Sequence, residues 1–308
     1  MGSGTHRPRH RVIVVGDVVT DVLAVLDGPL AAGSDTSASI RITGGGQAAN
    51  TAAWLASERV PVTLVAVVGD DEAGRARIAE LTALGVDCAV RRCPDAPTGT
   101  VIVLARGEDR TMVAQRGANL RLSANDVDAA LAAAPDARHL HLSGYALLEA
   151  ASREAGRHAL AAARGQGLTT SVDAASARPL RQVGPEAFLT WVRGVDLLLA
   201  NTDEAAVLTG GLDAEAAARK LTDIAGHVVV KRGGDGAVWA QRSGALIRFA
   251  ARRVPVVDPT GAGDAFAAGL LAAWVRGADP RSALRLGGRL GAWAVSTVGA
   301  RPVVEDSG

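Results

Sequence analysis

The chain has 308 residues, 48% of them apolar and only 3% aromatic, with 33 Lys and Arg against 32 Asp and Glu and a formal net charge of +1. That length suits one large α/β domain with a small accessory piece, and the apolar fraction is enough for a sizeable core. Balanced charge removes the electrostatic argument for nucleic acid or an anionic membrane surface, and a single Tyr leaves little for base stacking.

Residues 1–10, "MGSGTHRPRH", read as a disordered tail without the apolar stretch of a secretory leader. The longest strongly apolar helical run, "AFAAGLLAAWV", is too short to span a bilayer, so a cytoplasmic protein is expected. "RVIVVGDVVTD" predicts a buried strand that leaves Asp17 and Asp21 just past its end. Those carboxylates are either turn formers or acceptors for the vicinal hydroxyls of a sugar. "ASIRITGGGQ" alternates and ends in three glycines, and "AANTAAWLASER" follows with helical period, carrying Asn50 on its first turns. "VTLVAVVGDD" predicts another buried strand, and "GRARIAELTALGVD" an amphipathic helix closed by Gly85. Cys88 and Cys93 have the spacing of neither a redox pair nor a zinc half-site and read as two free thiols.

Residues 97–118 contain two alternating stretches flanking "RGEDR", which predicts a hairpin standing off the core. It carries Arg110 and Arg116, which read either as solvated charges or as partners for an anionic substrate. "ARHLHLSG", "LTTSVDAA", "VDLLLAN" and "HVVVKRGG" are then short apolar strands separated by helical stretches. Such alternation predicts a mostly parallel sheet covered on both faces, with ligands beyond the carboxyl ends of its strands. Asn201 and Glu204 read as an N-cap with its capping-box partner, or as a polar pair reaching hydrated magnesium or phosphate. Lys231, Gly233 and Gly236 form a glycine turn that suits a hairpin or a loop over a nucleotide.

"VVDPTGAGDAFAAG" is the most informative stretch. Gly261, Ala262 and Gly263 offer backbone amides at a helix start, which together favour a phosphate. Asp264 stands beside them, either as a favourable first-turn acid or as the base for an attacking hydroxyl. A dinucleotide-binding dehydrogenase is disfavoured, because the first strand is followed by one glycine rather than G-x-G-x-x-G.

Taken together and in this order, the Asp near the first strand, "GGGQAAN", N-x-x-E, the glycine turn after Lys231 and "DPTGAGDAF" resemble the ribokinase-like (PfkB) family of carbohydrate and nucleoside kinases, from about residue 11 to 303. The resemblance implies a three-layer α/β/α sandwich over 11–308, with a small β-sheet lid built from segments at about 22–44 and 97–118. It implies an ATP-dependent kinase of a sugar hydroxyl, with Asp264 as general base and Gly261, Ala262 and Gly263 as anion hole. Asp17, Asp21, Gly45, Gly46, Gln47 and Asn50 fall at substrate positions, and Asn201, Lys231, Gly233 and Gly236 at the nucleotide. Glu204 would reach Mg2+ through water, and Asp258, Thr260 and the loop near Gly299 would hold a monovalent cation, K+. The alternatives it leaves are a nucleoside kinase and a non-catalytic sugar- or nucleotide-binding regulator. In part of the family the lid also makes a homodimer. Gln47 and Ala48 stand where the familiar ribokinase form has Lys and Gly, and Ser143, Gly144 and Tyr145 where such enzymes often have an acid; both departures bear on which sugar is taken.

Overall fold

The computed structural model describes residues 10–106 and 109–302, so the tail at 1–9 and the tip of the 97–118 hairpin lie outside the described residues. The strands are β1 (Arg11–Val15), β2 (Val19–Leu26), β3 (Ala38–Gly45), β4 (Val62–Gly69), β5 (Asp87–Cys93), β6 (Gly99–Arg106), β7 (Asp109–Gln115), β8 (Ala137–Ser143), β9 (Thr169–Asp173), β10 (Leu197–Asn201), β11 (His227–Lys231), β12 (Ala237–Gln241) and β13 (Leu246–Phe249).

Nine of them form one sheet in the order β13-β12-β11-β10-β9-β8-β1-β4-β5. All neighbours from β11 to β5 pair in parallel, and β12 and β13 are added antiparallel at one edge. The central strands are buried on both faces. Val12 and Val14 pack into one core with the helices Gln47–Ser57, Ala262–Trp274 and Pro280–Val295, while Ile13 and Val15 pack into the other. Alternation within an unbroken apolar run is what a strand with helices on both faces requires. The result is a three-layer α/β/α fold.

The chain leaves β1 towards β4 and β5 on one side and returns to β8 on the other, so the strand order reverses between β1 and β8. A crevice opens at such a switch point, outside the strand ends. Asp17, Gln47 and Ser143 meet there.

The remaining four strands form a second sheet, β3-β2-β6-β7, with β2 antiparallel to β3 and parallel to β6. The expected hairpin is present as β6 antiparallel to β7. One face of this sheet carries Ile42, Val22, Ile102 and Val113 in a single cross-strand row, and Ile42 is 67% exposed. The glycine turn after Lys231 joins β11 to β12 as an antiparallel hairpin, while the edge strands β5 and β13 have no counterpart in the sequence reading.

Candidate active site

Helix Ala262–Trp274 starts at Gly261, whose φ of +75° places it in the left-handed region. A Cβ there would lie 2.5 Å from the Ala300 carbonyl, so the turn requires glycine twice over. The helix is buried along its length, yet its first turn carries Asp264. Asn50, on the facing helix Gln47–Ser57, donates from Nδ2 to Asp264 Oδ2 at 2.9 Å. Burial pushes the Asp264 carboxyl up to about 8; Asp173 and Asp17 push the same way, while the Asn50 hydrogen bond and Lys231 oppose them. A carboxyl tuned into this range suits proton abstraction near neutral pH.

Lys231, at the end of β11, reaches back to Asp173 at the end of β9, with Nζ 2.5 Å from Oδ2. The ammonium also faces Gly263, at the start of the Ala262–Trp274 helix. Burial disfavours the Lys231 charge, but Asp173 and Glu204 more than offset this and raise its pKa. Asp173 ends the strand that "LTTSVDAA" predicts. The structure gives it two further donors, Gln47 Nε2 at 3.1 Å and the Ala175 amide at 3.2 Å.

Behind the glycine turn lies a cavity of about 580 Å³, lined by Lys231, Gly233, Gly234 and Gly236 on one side and by Phe249, Phe266 and Val295 on the other. It is a largely apolar slot with a cation and a helix N-terminus at its inner end, a combination that suits a phosphate-bearing ligand with an apolar body.

On the acceptor side the candidates divide. Asp21 stands against Gly45, where a Cβ would fall 2.2 Å from its carboxylate. Burial raises its pKa to about 6 against the pull of Arg301 and Arg77. Asp17 is used structurally: its carboxylate accepts from the Gln47 and Ala48 amides at 3.2 and 3.3 Å and from Ser143 Oγ at 3.1 Å. It therefore caps the helix that presents Asn50. Gly46, at φ +102°, brings that helix start over the Asp17 carbonyl. Gln47 is also engaged at both ends of its amide, by Asp173 and by Ser143 at 2.7 Å.

Asn201 and Glu204 form the capping box of helix Thr202–Thr209. Both carboxylate oxygens of Glu204 accept from Asn201, and the Asn201 side chain accepts from the Glu204 amide at 2.8 Å. Burial, with Asp173 nearby, raises the Glu204 carboxyl to about 7. Asp258, Thr260 and Gly299 do come together. Asp258 Oδ1 accepts from the Thr260 amide and hydroxyl at 3.0 and 2.6 Å, and Oδ2 accepts from the Gly299 amide at 3.1 Å. Among the described residues no three His, Cys, Asp or Glu side chains gather as a metal-ligand cluster. Arg116 lies over the Tyr145 ring at 3.8 Å and 3.4 Å from Glu149, so it is already partnered; the Arg110 side chain lies outside the described residues.

The sequence reading missed Arg301. Its Nη2 donates to the Gly45 carbonyl at 2.9 Å, Nε to Asn50 Oδ1 at 3.2 Å and Nη1 to Glu80 at 3.2 Å. Burial lowers the guanidinium to about 10, which still leaves it charged at neutral pH. No local signal marks it, because Asn50 is 251 positions away.

Residues 9–307 match the pfkB family carbohydrate kinase model. The chain is 33% identical to a 2-dehydro-3-deoxygluconokinase from Thermoproteus tenax, over 89% of this chain and 85% of that one. It is 32% identical to an ATP-dependent ribose-1-phosphate kinase from Halopiger xanaduensis, over 94% of each. Among solved structures it superposes on an Escherichia coli protein described as a ribokinase II, in complex with ATP and Mg2+, with a TM-score of 0.83, 25% identity and 94% of each chain covered. It has the same fold as an adenosine kinase from Sinorhizobium meliloti, with a TM-score of 0.86, 24% identity and 96% and 97% of the two chains covered.

Proposed function

Because this chain belongs to the pfkB family of carbohydrate kinases, we propose that it transfers the γ-phosphoryl group of ATP to a hydroxyl of a small sugar. The observation that carries the reading is Asp264: a carboxylate with its pKa raised to about 8, at the mouth of a helix whose first amides are bare of side chains. The acceptor hydroxyl lies between Asp264, Asn50 and Asp21. Asp264 takes its proton as the oxygen attacks, and the Gly261–Gly263 amides hold charge on the transferred group. Lys231 faces the same point, and the slot lined by Gly233, Gly236, Phe249 and Phe266 holds the nucleotide.

Mg2+ would accompany the nucleotide and supply charge neutralisation at its phosphates. That fits a site whose Glu204 oxygens are given to Asn201, so that the residue would meet the ion through water. K+ would sit against the clasp of Asp258, Thr260 and Gly299, which ties the loop at 299 to the glycine turn. The β3-β2-β6-β7 sheet acts as the lid, and its exposed Ile42, Ile102 and Val113 row supports a homodimer through that face. With no helix among the described residues long and apolar enough to cross a membrane, a cytoplasmic location is in keeping with the substrates.

The acceptor side is walled by carboxylates, carboxamides and guanidinium groups, which favours a polyol over a nucleobase. The test is ADP release over a panel of sugars, sugar acids, sugar phosphates and nucleosides, run beside Asp264→Asn. Sugar-dependent ADP release that Asp264→Asn abolishes, with nucleotide binding intact, is the expected result. A variant near the wild-type kcat removes Asp264 as base, and a preference for nucleosides replaces the sugar.

A further inference from the structure

A continuous polar chain runs from the feet of the small sheet to Asp264. Arg77, on helix Glu72–Ala83, donates from Nη1 to Thr20 Oγ1 on β2 and to the Thr43 carbonyl on β3, both at 3.2 Å. Its Nη2 meets Glu80, one turn along the same helix. Glu80 accepts from Arg301, Arg301 donates to Asn50 Oδ1, and Asn50 Nδ2 donates to Asp264 Oδ2. Both arginines are buried, their side chains 8% and 9% exposed.

The direction of every bond after Glu80 is fixed by chemistry. A guanidinium only donates, and a carboxylate that is to receive a proton must be met as an acceptor. A carboxamide placed between them fits in one orientation, oxygen to the arginine and nitrogen to the acid. Among the described residues, Arg301 is the only side chain that donates to the Asn50 oxygen. Without that bond, a half-turn of the amide would face Asp264 with an oxygen, which favours the protonated acid and disfavours the base.

A second observation is that the guanidinium rests directly against the backbone of a glycine. Of the three glycines in Gly44-Gly45-Gly46, Gly45 faces Asp21 and Gly46 turns the chain over Asp17. A Cβ on Gly44 would lie 2.1 Å from Arg301 Nη1 and 2.5 Å from its Cζ, so the first glycine makes room for the guanidinium. Arg301 donates from each of its three nitrogens, to Asn50, Glu80 and Gly45, and lies close enough to Asp21 to oppose the rise that burial imposes on that carboxyl.

We propose that Arg301 is a positioning residue for phosphoryl transfer: seated in the space left by Gly44, it holds the Asn50 carboxamide in the orientation that donates to Asp264. The proposal rests on Asp264 being the base. The charged groups facing Asp264 from other elements are Lys231 on β11, Asp173 on β9 and Asp17 after β1, and all three are unchanged in the variants compared.

The experiment is steady-state kinetics of the full chain with its best sugar from the panel, for Arg301→Met, Arg301→Lys, Asn50→Ala and the Arg301→Met/Asn50→Ala double variant. Active sites are counted by nucleotide binding. Arg301→Met is expected to lower kcat by roughly 10- to 100-fold, the worth of a charge-assisted hydrogen bond. The acid limb of its pH profile moves to higher pH, and KM for the nucleotide stays as it was. Arg301→Lys, which keeps the charge beside Glu80 and guards against a Met variant that does not fold, falls between the two with the limb shifted the same way. In the Asn50→Ala background Arg301→Met should cost no more than about a further twofold. The same fold-loss with or without Asn50, a rise in sugar KM at unchanged kcat, or a lower Tm with an unmoved acid limb would each overturn the proposal. Asp264→Asn, run alongside, separates the two levels. An active Asp264→Asn removes the base and this proposal with it, whereas an inactive one beside an unaffected Arg301→Met removes only the proposal.

Discussion

Lys231 and Asp173 close an ion pair across the end of β10, 2.5 Å apart, with 13% and 2% of their side chains exposed. The pair sits beside Asp264, and its two members act on that carboxyl with opposite sign: Lys231 lowers its pKa and Asp173 raises it.

That opposition makes a signed prediction. With Asp264 at about 8, kcat/KM should rise with pH through an acid limb near that value, since the base must be ionised in the free enzyme. Lys231→Met should move the limb to higher pH. Asp173→Asn should move it lower, because it removes a neighbouring negative charge and frees the ammonium. Limbs that move in the same direction in both variants would assign the titration to another group.

The two glycines of the turn should differ. Gly261→Ala meets both a positive φ and the Ala300 carbonyl, so it should lose activity and cost more than about 1 kcal/mol of stability. Gly263 lies inside the helix and its Cβ would meet only Lys231 Nζ, at 3.5 Å. Gly263→Ala should fold at least as stably as the wild type, since alanine is the better helix former by up to about 1 kcal/mol. Denaturant melts of the two variants decide the matter; equal losses would remove the steric account of the turn.

His139 and His141 are buried neutral on β8, bonded to Thr169 and Ser171. Burial lowers them from 6.5 to about 3 and about 4. Between pH 6.5 and 4 the unfolded chain therefore binds protons that the folded chain does not, and stability falls as pH falls. The raised carboxyls of Asp264 and Glu204 work in the other direction, so the test is a difference. His139→Gln, whose amide can keep both hydroxyl partners, should lose about 2 kcal/mol less than the wild type between pH 7.5 and 5. Equal losses in urea melts would mean that His139 is already protonated in the folded chain.

The row of Val22, Ile42, Ile102 and Val113 bears on assembly. If two lids meet there, Ile42→Glu should convert a dimer to a monomer in light scattering and leave the nucleotide slot intact. A wild-type chain that is monomeric at micromolar concentration removes the lid dimer.

Much of this was legible in the chain. Apolar runs ending in Gly-Asp or Asn marked the strands whose ends line the crevice, and the Gly261–Asp264 turn is local enough to read from its own spacing. Asn201 and Glu204 were legible as either of two things, and the folded chain shows the capping box, since an N-cap satisfies itself within four residues. Asp17 and Gln47 make hydrogen bonds to each other's elements and to Ser143 and Asp173 that their positions in the chain do not announce. A sequence shows that a carboxylate stands at a strand end, but not that a helix start 30 residues on will use it. Arg77 and Arg301 were illegible, because a buried arginine is recognised by partners that only tertiary packing supplies. Strands β5 and β13 escaped because short, half-exposed edge strands carry little apolar pattern.

The connection of Arg301 to Asn50 and Gly45, and of Ala300 to Trp54 through the indole N–H at 3.0 Å, spans nearly the whole described chain. No half of the protein contains Asn50, Asp264 and Arg301 together, and β1 lies between β4 and the much later β8. On refolding from denaturant, helical signal should return before turnover does, because contacts of such sequence separation form slowly. Recovered catalysis is therefore a clock for the last docking event rather than for the first collapse.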